Sequence, residues 1–335
     1  MTAANRIYVD RDGVHEWTPP EPLPGLPPEC GYVGDVLAHV DEMLPRAGLR
    51  FVVTWRVGGA APLSGTDVVV VCLGDELCRV PSYQADVRLV CKTYGTSRPV
   101  HLRAGSPGQR AALAPTVLQE ARVQALRAPS LAASGWRRLG RRDQQPVLDI
   151  PLGTYLLQDL PLVPFEERTY DLAFLGSEVN WATDLDRRLL SQKTRARRSL
   201  LAAAKRLAAR RPDLHMALGT IATFHDAHGH VDSYSATLNQ SRIALCPRGS
   251  SLETYRFFEA LRCGCVPVTE ALPRRDYYDG APRRELRSWD DLPVVVEELL
   301  ADGDELVAMH RAALDWWSRQ CAPNVVARRI VAALA

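Results

Sequence analysis

The chain has 335 residues, a formal net charge of +2, 46% hydrophobic and 24% charged residues. That length exceeds one ordinary core and suits two domains, while the composition is that of a globular protein and the near-neutral charge argues against a generic nucleic-acid binder. No stretch reaches the roughly 18 apolar residues of a membrane span, and the opening MTAANRIYVDRDGVHEW has no apolar core, so the reading is a cytoplasmic protein with no transmembrane segment and no nucleic-acid partner.

Lysine occurs only at Lys92, Lys193 and Lys205, so any grip on phosphate falls to guanidinium groups. The eight cysteines are scattered without a C-x-x-C pair, and Cys72, Cys91, Cys246 and Cys265 lie in apolar runs where a reduced cysteine serves as a small core residue.

In chain order, Arg6 to Val9 reads as a strand ending at Asp10-Arg11-Asp12-Gly13. Pro19 to Pro28 is too rich in proline for helix or ladder, and Asp35 to Leu44 is a short amphipathic helix. Phe51 to Trp55 is a strand. Asp67 to Leu73 (DVVVVCL), apolar on both faces, is the clearest buried parallel-type strand and stops at Gly74-Asp75-Glu76. Val87 to Cys91 is another strand. The alanine- and arginine-rich stretch from Gln109 to Arg142 is expected to be helical up to Pro129 and irregular beyond, with Arg137, Arg138, Arg141 and Arg142 as a solvated cluster.

A domain linker is expected between Leu160 and Glu167, on Pro161, Pro164 and the run Glu166-Glu167-Arg168. The division is then 1–160, 165–310 and a pair of C-terminal helices over 311–335. Tyr170 to Leu175 is a strand ending at Gly176-Ser177, Leu185 to Arg211 an arginine-rich helix, and Leu214 to Leu218 a strand. His225, His228 and His230 stand in a glycine-interrupted segment and read as a polar loop. Asp232 to Gln240, Trp289 to Leu300, Asp304 to Arg319 and Asn324 to Leu334 are helices, with Trp316-Trp317 placing one indole in a core and the other on a neighbouring element.

The most informative stretch is Ser241 to Glu270. Ile243 to Cys246 is a buried strand closed by Pro247 and Gly249. Ser250 with Glu253 fits a capping box, Leu252, Tyr255, Phe258 and Leu261 recur at helical spacing, and Gly264 stands at a left-handed C-cap. Cys265 to Thr269 is a second strand, expected at an edge because Pro267 donates no ladder hydrogen bond. A turn that delivers a helix N-terminus to the end of a strand favours an anion. Arg248 and Arg256 can complete a phosphate site, and Glu259, one turn below Arg256, can accept from ribose hydroxyls.

Cys246-Pro247-Arg248-Gly249, then Arg256-x-x-Glu259-Ala260, then Gly264-Cys265-x-Pro267-Val268 resembles the donor-site signature of exostosin-like glycosyltransferases, mainly over residues 170–270. The resemblance implies an α/β GT-B fold, two Rossmann-like domains facing across a cleft. It implies an inverting, metal-independent enzyme without a cofactor, taking a nucleoside-diphosphate sugar, foremost a UDP-sugar, as co-substrate. The donor-binding set is then Gly176, Ser177, Arg195, Arg248, Gly249, Ser250, Tyr255, Arg256 and Glu259. Carbohydrate biosynthesis on a small-molecule, glycan or lipid-linked acceptor follows. Val147 to Pro151 with Gly153 resembles the crossover into the second lobe, and a terminal helix returning to the first domain is a GT-B trait.

For the base, Asp75 and Glu76 stand where the most buried strand of the first half ends, with His15, Asp10 and Asp12 behind them. Asp10-x-Asp12 is formally a metal triplet, but it precedes a proline-rich loop. Two alternatives stay open: a nucleotide-sugar-binding scaffold without catalysis, and a GT-B sugar-nucleotide epimerase.

Overall fold

The computed structural model describes residues 3–19, 25–98, 113–140, 147–155, 157–177, 191–221 and 231–335. The chain divides into two units: Met1–Leu102, Val117–Gly153 and Cys321–Ala335 form the first, and Arg103–Thr116 with Thr154–Gln320 the second. His225, His228 and His230 lie outside the described residues.

In the first unit, β1 (Arg6–Asp10), β2 (Val14–Trp17), α1 (Glu29–Met43), β3 (Arg50–Thr54), β4 (Gly65–Cys72) and β5 (Val87–Lys92) precede the long helix α2 (Leu113–Gly140) and β6 (Val147–Asp149). The sheet order is β2-β1-β3-β4-β5-β6, parallel except for the β1–β2 hairpin. Val68 to Cys72 are all fully buried, as an uninterrupted apolar run in the middle of a parallel sheet must be. Helix α2 does not break at Pro129 as the sequence reading expects. The proline is exposed, so the carbonyl it frees meets water, and the alanine-rich turns around it have the highest helix propensity.

In the second unit, β7 (Tyr170–Ser177), α3 (Gln192–Arg210), β8 (Met216–Ile221), α4 (Val231–Asn239), β9 (Ser241–Cys246), α5 (Tyr255–Arg262), β10 (Val266–Glu270), β11 (Arg284–Leu286), α6 (Leu292–Ala301) and α7 (Gly303–Gln320) build a parallel sheet of order β11-β10-β9-β7-β8. Its core joins Leu172 and Phe174 of β7, Leu200 and Leu207 of α3, Ile243 and Leu245 of β9, and Val296 of α6. Both units are therefore α/β with parallel sheets. The last helix, α8 (Pro323–Leu334), belongs to the first unit and packs on α1. There Tyr32 donates to the Cys321 carbonyl at 2.6 Å and Arg88 to that of Leu334 at 2.6 Å.

Two local expectations change. Leu160 to Glu167 is no linker, because Phe165 lies in the second core and Arg168 is buried, donating to the carbonyls of Ser241 at 2.7 Å and Cys263 at 2.5 Å. A guanidinium satisfied by carbonyls on two separate elements is a bolt of the fold. Strand β10 is not at an edge: it pairs with β9 and β11. Its ladder with β11 begins only at Val268, so Pro267 lies beyond the end of that ladder and breaks no bond in it.

Candidate functional site

The loop from Pro247 to Thr254 leads from β9 into α5, but the helix starts at Tyr255 with Thr254 as N-cap, and the Ser250/Glu253 capping box does not form. The reason is a stronger claim on Glu253. Its carboxylate, 1% exposed, accepts from Arg275 Nη2 at 3.0 Å and Nε at 3.1 Å, from the Tyr277 hydroxyl at 2.7 Å and from the Tyr278 hydroxyl at 3.3 Å. A buried carboxylate met by a guanidinium fork and two hydroxyls fixes the loop to the turn after β10. Burial and the Glu253 charge push the Tyr277 hydroxyl well up, which keeps it a donor. At the other end, Gly264 has φ +71°, its N–H meets the Leu261 carbonyl and the Cys265 N–H that of Ala260, a Schellman close as expected.

Helix α5 turns Arg256 and Glu259 into the protein. Arg256 lies 4.9 Å over the Phe174 ring and donates through Nη2 to the Leu175 carbonyl at the end of β7. Its Nε is buried with no hydrogen-bond partner among the described residues. Glu259 is 3% exposed; Oε1 accepts from the Tyr155 N–H at 2.9 Å and Oε2 from the Tyr234 hydroxyl at 2.5 Å. Burial, then the Glu259 charge, raises the Tyr234 hydroxyl well above its ordinary range, so it stays protonated and donates. The Tyr155 ring leans on Tyr255 at 5.1 Å.

The close of β7 explains a glycine. A Cβ on Gly176 would run into Arg256 Nη2, with Arg197 Nη1 at 3.7 Å. Arg197, on α3 and 6% exposed, donates to the Ser177 carbonyl and, at 3.1 Å, to the Ser177 hydroxyl. Two guanidinium groups thus converge on Gly176-Ser177. Arg195, the expected contributor from this helix, points elsewhere and donates to Thr116 Oγ1 at 2.9 Å, with burial lowering its pKa. Two residues along a helix is more than half a turn. The signal for Arg197 was present: Lys193, Arg197, Leu200, Ala204 and Leu207 alternate spacings of four and three, the period of a buried stripe.

Arg248 is folded back on its own loop, donating to the Ser250 carbonyl at 3.2 Å, while its N–H meets Glu270 Oε2 at 3.0 Å. Burial raises the Glu270 carboxyl, against the pull of Arg248 and Arg197. Gly249 is buried in the turn and Ser250 is exposed. Tyr155, Tyr234, Arg197 and Glu270 are the members of this cluster that motif reading missed.

In the first unit, Asp75 follows β4 but both its oxygens are taken. Lys92 Nζ, at 0% side-chain exposure, lies 3.1 Å from Oδ2, the Arg79 N–H donates to Oδ2 at 2.6 Å, and Arg79 Nε donates to Oδ1 at 2.9 Å. The Glu76 carboxylate has no partner among the described residues, while its backbone carbonyl accepts from Arg98 at 2.9 Å. Asp10 is buried, accepting from Thr54 Oγ1 at 2.8 Å and pairing with Arg56, so the Asp10-x-Asp12 triplet is a structural anchor. His15 is exposed on β2. Among the described residues no group of three histidine, cysteine, aspartate or glutamate side chains is set to hold a metal.

Against known families, residues 220–322 match the model described as the RXYLT1 C-terminal domain. The chain is 35% identical over 99 residues to ribitol-5-phosphate xylosyltransferase 1 of Danio rerio, covering 25% of this chain and 23% of that protein. It is 30% identical over 102 residues to the protein of the same name from Homo sapiens, with the same coverage. The chain therefore spans under a quarter of the length of these relatives. Among solved structures, the pneumococcal O-GlcNAc transferase GtfA in complex with UDP and GlcNAc superposes with a TM-score of 0.44 at 11% identity, over 89% of this chain and 59% of that one. The matched segment holds Tyr234, Arg248, Arg256, Glu259 and Glu270.

Proposed function

We propose that the protein is a glycosyltransferase of the exostosin-like GT-B kind, moving a sugar from a nucleoside-diphosphate sugar, foremost a UDP-sugar, to an acceptor hydroxyl with inversion and without a metal. One observation carries this reading: the segment similar to the RXYLT1 C-terminal domain is the one in which Arg256 and Glu259 turn inward from a single face of α5. The Glu259 carboxylate, set in place by the Tyr155 N–H and the Tyr234 hydroxyl, is an acceptor to which the ribose hydroxyls donate. Arg256 and Arg197 hold the diphosphate where Gly176 leaves room for it, and Arg248, Gly249 and Ser250 border it. Charge that grows on the leaving diphosphate meets fixed guanidinium groups, which is where electrostatic stabilisation acts.

For the base, Glu76 is preferred over Asp75. Both Asp75 oxygens are engaged by Lys92 and Arg79 and are not turned to an acceptor hydroxyl. The same observation supports the second reading, a donor-binding scaffold without turnover. Release of UDP from a panel of UDP-sugars, with and without glycan, polyol-phosphate and lipid-linked acceptors, separates the two. Acceptor-stimulated release is the expected outcome. Tight UDP binding with no release in any mixture selects the scaffold, and no binding of any nucleotide overturns both.

A further inference from the structure

Glu270 ends β10 beside the guanidinium groups that gather at the close of β7. Its Oε2 accepts from the Arg248 N–H at 3.0 Å, and the charges of Arg248 and Arg197 both act on its carboxyl. Trp289, buried in the second core just ahead of α6, turns its indole N–H toward the same carboxyl without closing a hydrogen bond of ordinary geometry. Only Oε2 therefore closes a hydrogen bond with a described residue, and the side chain is only partly buried. A carboxylate is a poor neighbour for a diphosphate, because like charges repel. The fold asks little of its charge: Arg197 is already met by the Ser177 carbonyl and hydroxyl, and the Arg248 N–H needs an acceptor of any kind.

The order of charges along this end of the sheet says what that carboxylate serves. Glu259 stands one turn on from Arg256 along α5, and both act on the Tyr234 hydroxyl. Arg256 and Arg197 meet at Gly176, and Arg197 in turn acts on Glu270. The groups thus follow one another as carboxylate, guanidinium, guanidinium, carboxylate. A nucleoside-diphosphate sugar has the complementary order: a ribose with hydroxyls, two phosphates, and a sugar with hydroxyls that donate to a carboxylate. We propose that Glu270 accepts from the hydroxyls of the transferred sugar and selects donors whose sugar is neutral, against uronic acids whose own carboxylate it repels. This assignment rests on the donor-site reading of Arg197, Arg256 and Glu259, and adds the far end of the ligand to it.

The test is calorimetric titration of UDP, UDP-glucose and UDP-glucuronate against the full chain and its Glu270→Gln variant. The parent binds UDP-glucose about tenfold or more tighter than UDP-glucuronate, a preference read without any variant. Glutamine keeps an oxygen for the Arg248 N–H and removes the charge. Glu270→Gln weakens UDP-glucose about tenfold, the loss of a hydrogen bond to a charged group, and narrows the gap to UDP-glucuronate. It leaves UDP bound as tightly as before or more tightly, because a negative charge near the diphosphate is gone. Equal changes for UDP and UDP-glucose overturn the sugar assignment and leave the diphosphate site standing, as does a parent that binds UDP-glucuronate no worse than UDP-glucose. A variant that loses UDP together with its melting temperature makes Glu270 a support of the Arg248 loop, and the assignment falls. A parent that binds no UDP at all overturns the donor-site reading and this inference with it.

Discussion

The two sheets end their central strands differently. After β4, Asp75 closes on Lys92 and Arg79, opposite charges within the same unit. After β7, Arg197 and Arg256 converge on carbonyls, a hydroxyl and a ring, and among the described residues Arg256 Nε has no hydrogen-bond partner. Both places obey the rule that parallel sheets present polar groups at the carboxyl ends of their strands. Position alone does not say whether such a group is engaged by the fold or left over for a ligand. A buried guanidinium nitrogen that no described residue accepts from, as at Arg256 Nε, marks the second case.

The largest effect that breaks or sharpens this contrast is on stability. Asp75→Asn leaves the fully buried Lys92 ammonium without its counter-charge and lowers unfolding free energy in urea by about 3–5 kcal/mol. A variant as stable as the parent that has lost turnover would make Asp75 the base after all. Glu76→Gln, by contrast, changes stability by no more than about 0.5 kcal/mol and slows transfer about a hundredfold or more if Glu76 is the base. Steady-state rates on the parent's best acceptor decide it.

Gly176→Ala comes next. The new methyl displaces the flexible end of Arg256 and not the backbone, so donor affinity drops by about 1–3 kcal/mol while the melting temperature barely moves. A fall in melting temperature with donor affinity intact would mean that the two guanidiniums only staple β7.

The smallest effect is a pH dependence in the same unit. His310 Nδ1 lies 2.7 Å from the Gly264 carbonyl, and burial lowers its pKa below the ordinary value of 6.5. The folded state favours the neutral ring, so this contribution is complete above pH 6.5 and is lost as the pH falls from there toward the lowered value. Melting curves in that window should flatten in His310→Gln. A parent and variant with identical slopes would remove His310 from the account.

Much of this was legible in the sequence where local chemistry and tertiary structure agree. Val68 to Cys72 could only be a central strand, Gly264 could only close a helix, and Trp316 with Trp317 divide as expected, the first buried and the second under Arg262 at 5.9 Å. The failures came from partners far along the chain. Ser250 and Glu253 satisfy a local capping rule, yet Arg275, twenty-two residues on, outbids it. Arg168 looks like a linker charge until Ser241 and Cys263 supply its carbonyls. Arg256 and Glu259 were visible as a pair on one face of α5, whereas Tyr155 and Tyr234, which set the Glu259 carboxylate, carry no motif at all.

Titration calorimetry of UDP against the parent and Glu259→Gln tests the central claim most directly. Glutamine keeps the shape of the side chain and an oxygen for the Tyr155 N–H, but loses the charge. Affinity is expected to fall by about 1–3 kcal/mol, the range for hydrogen bonds to a charged group, with the melting temperature of the free protein little changed. Equal UDP affinity in the two proteins would contradict the assignment of Glu259 to the nucleotide and, with it, the reading of this end of the second sheet as a donor site.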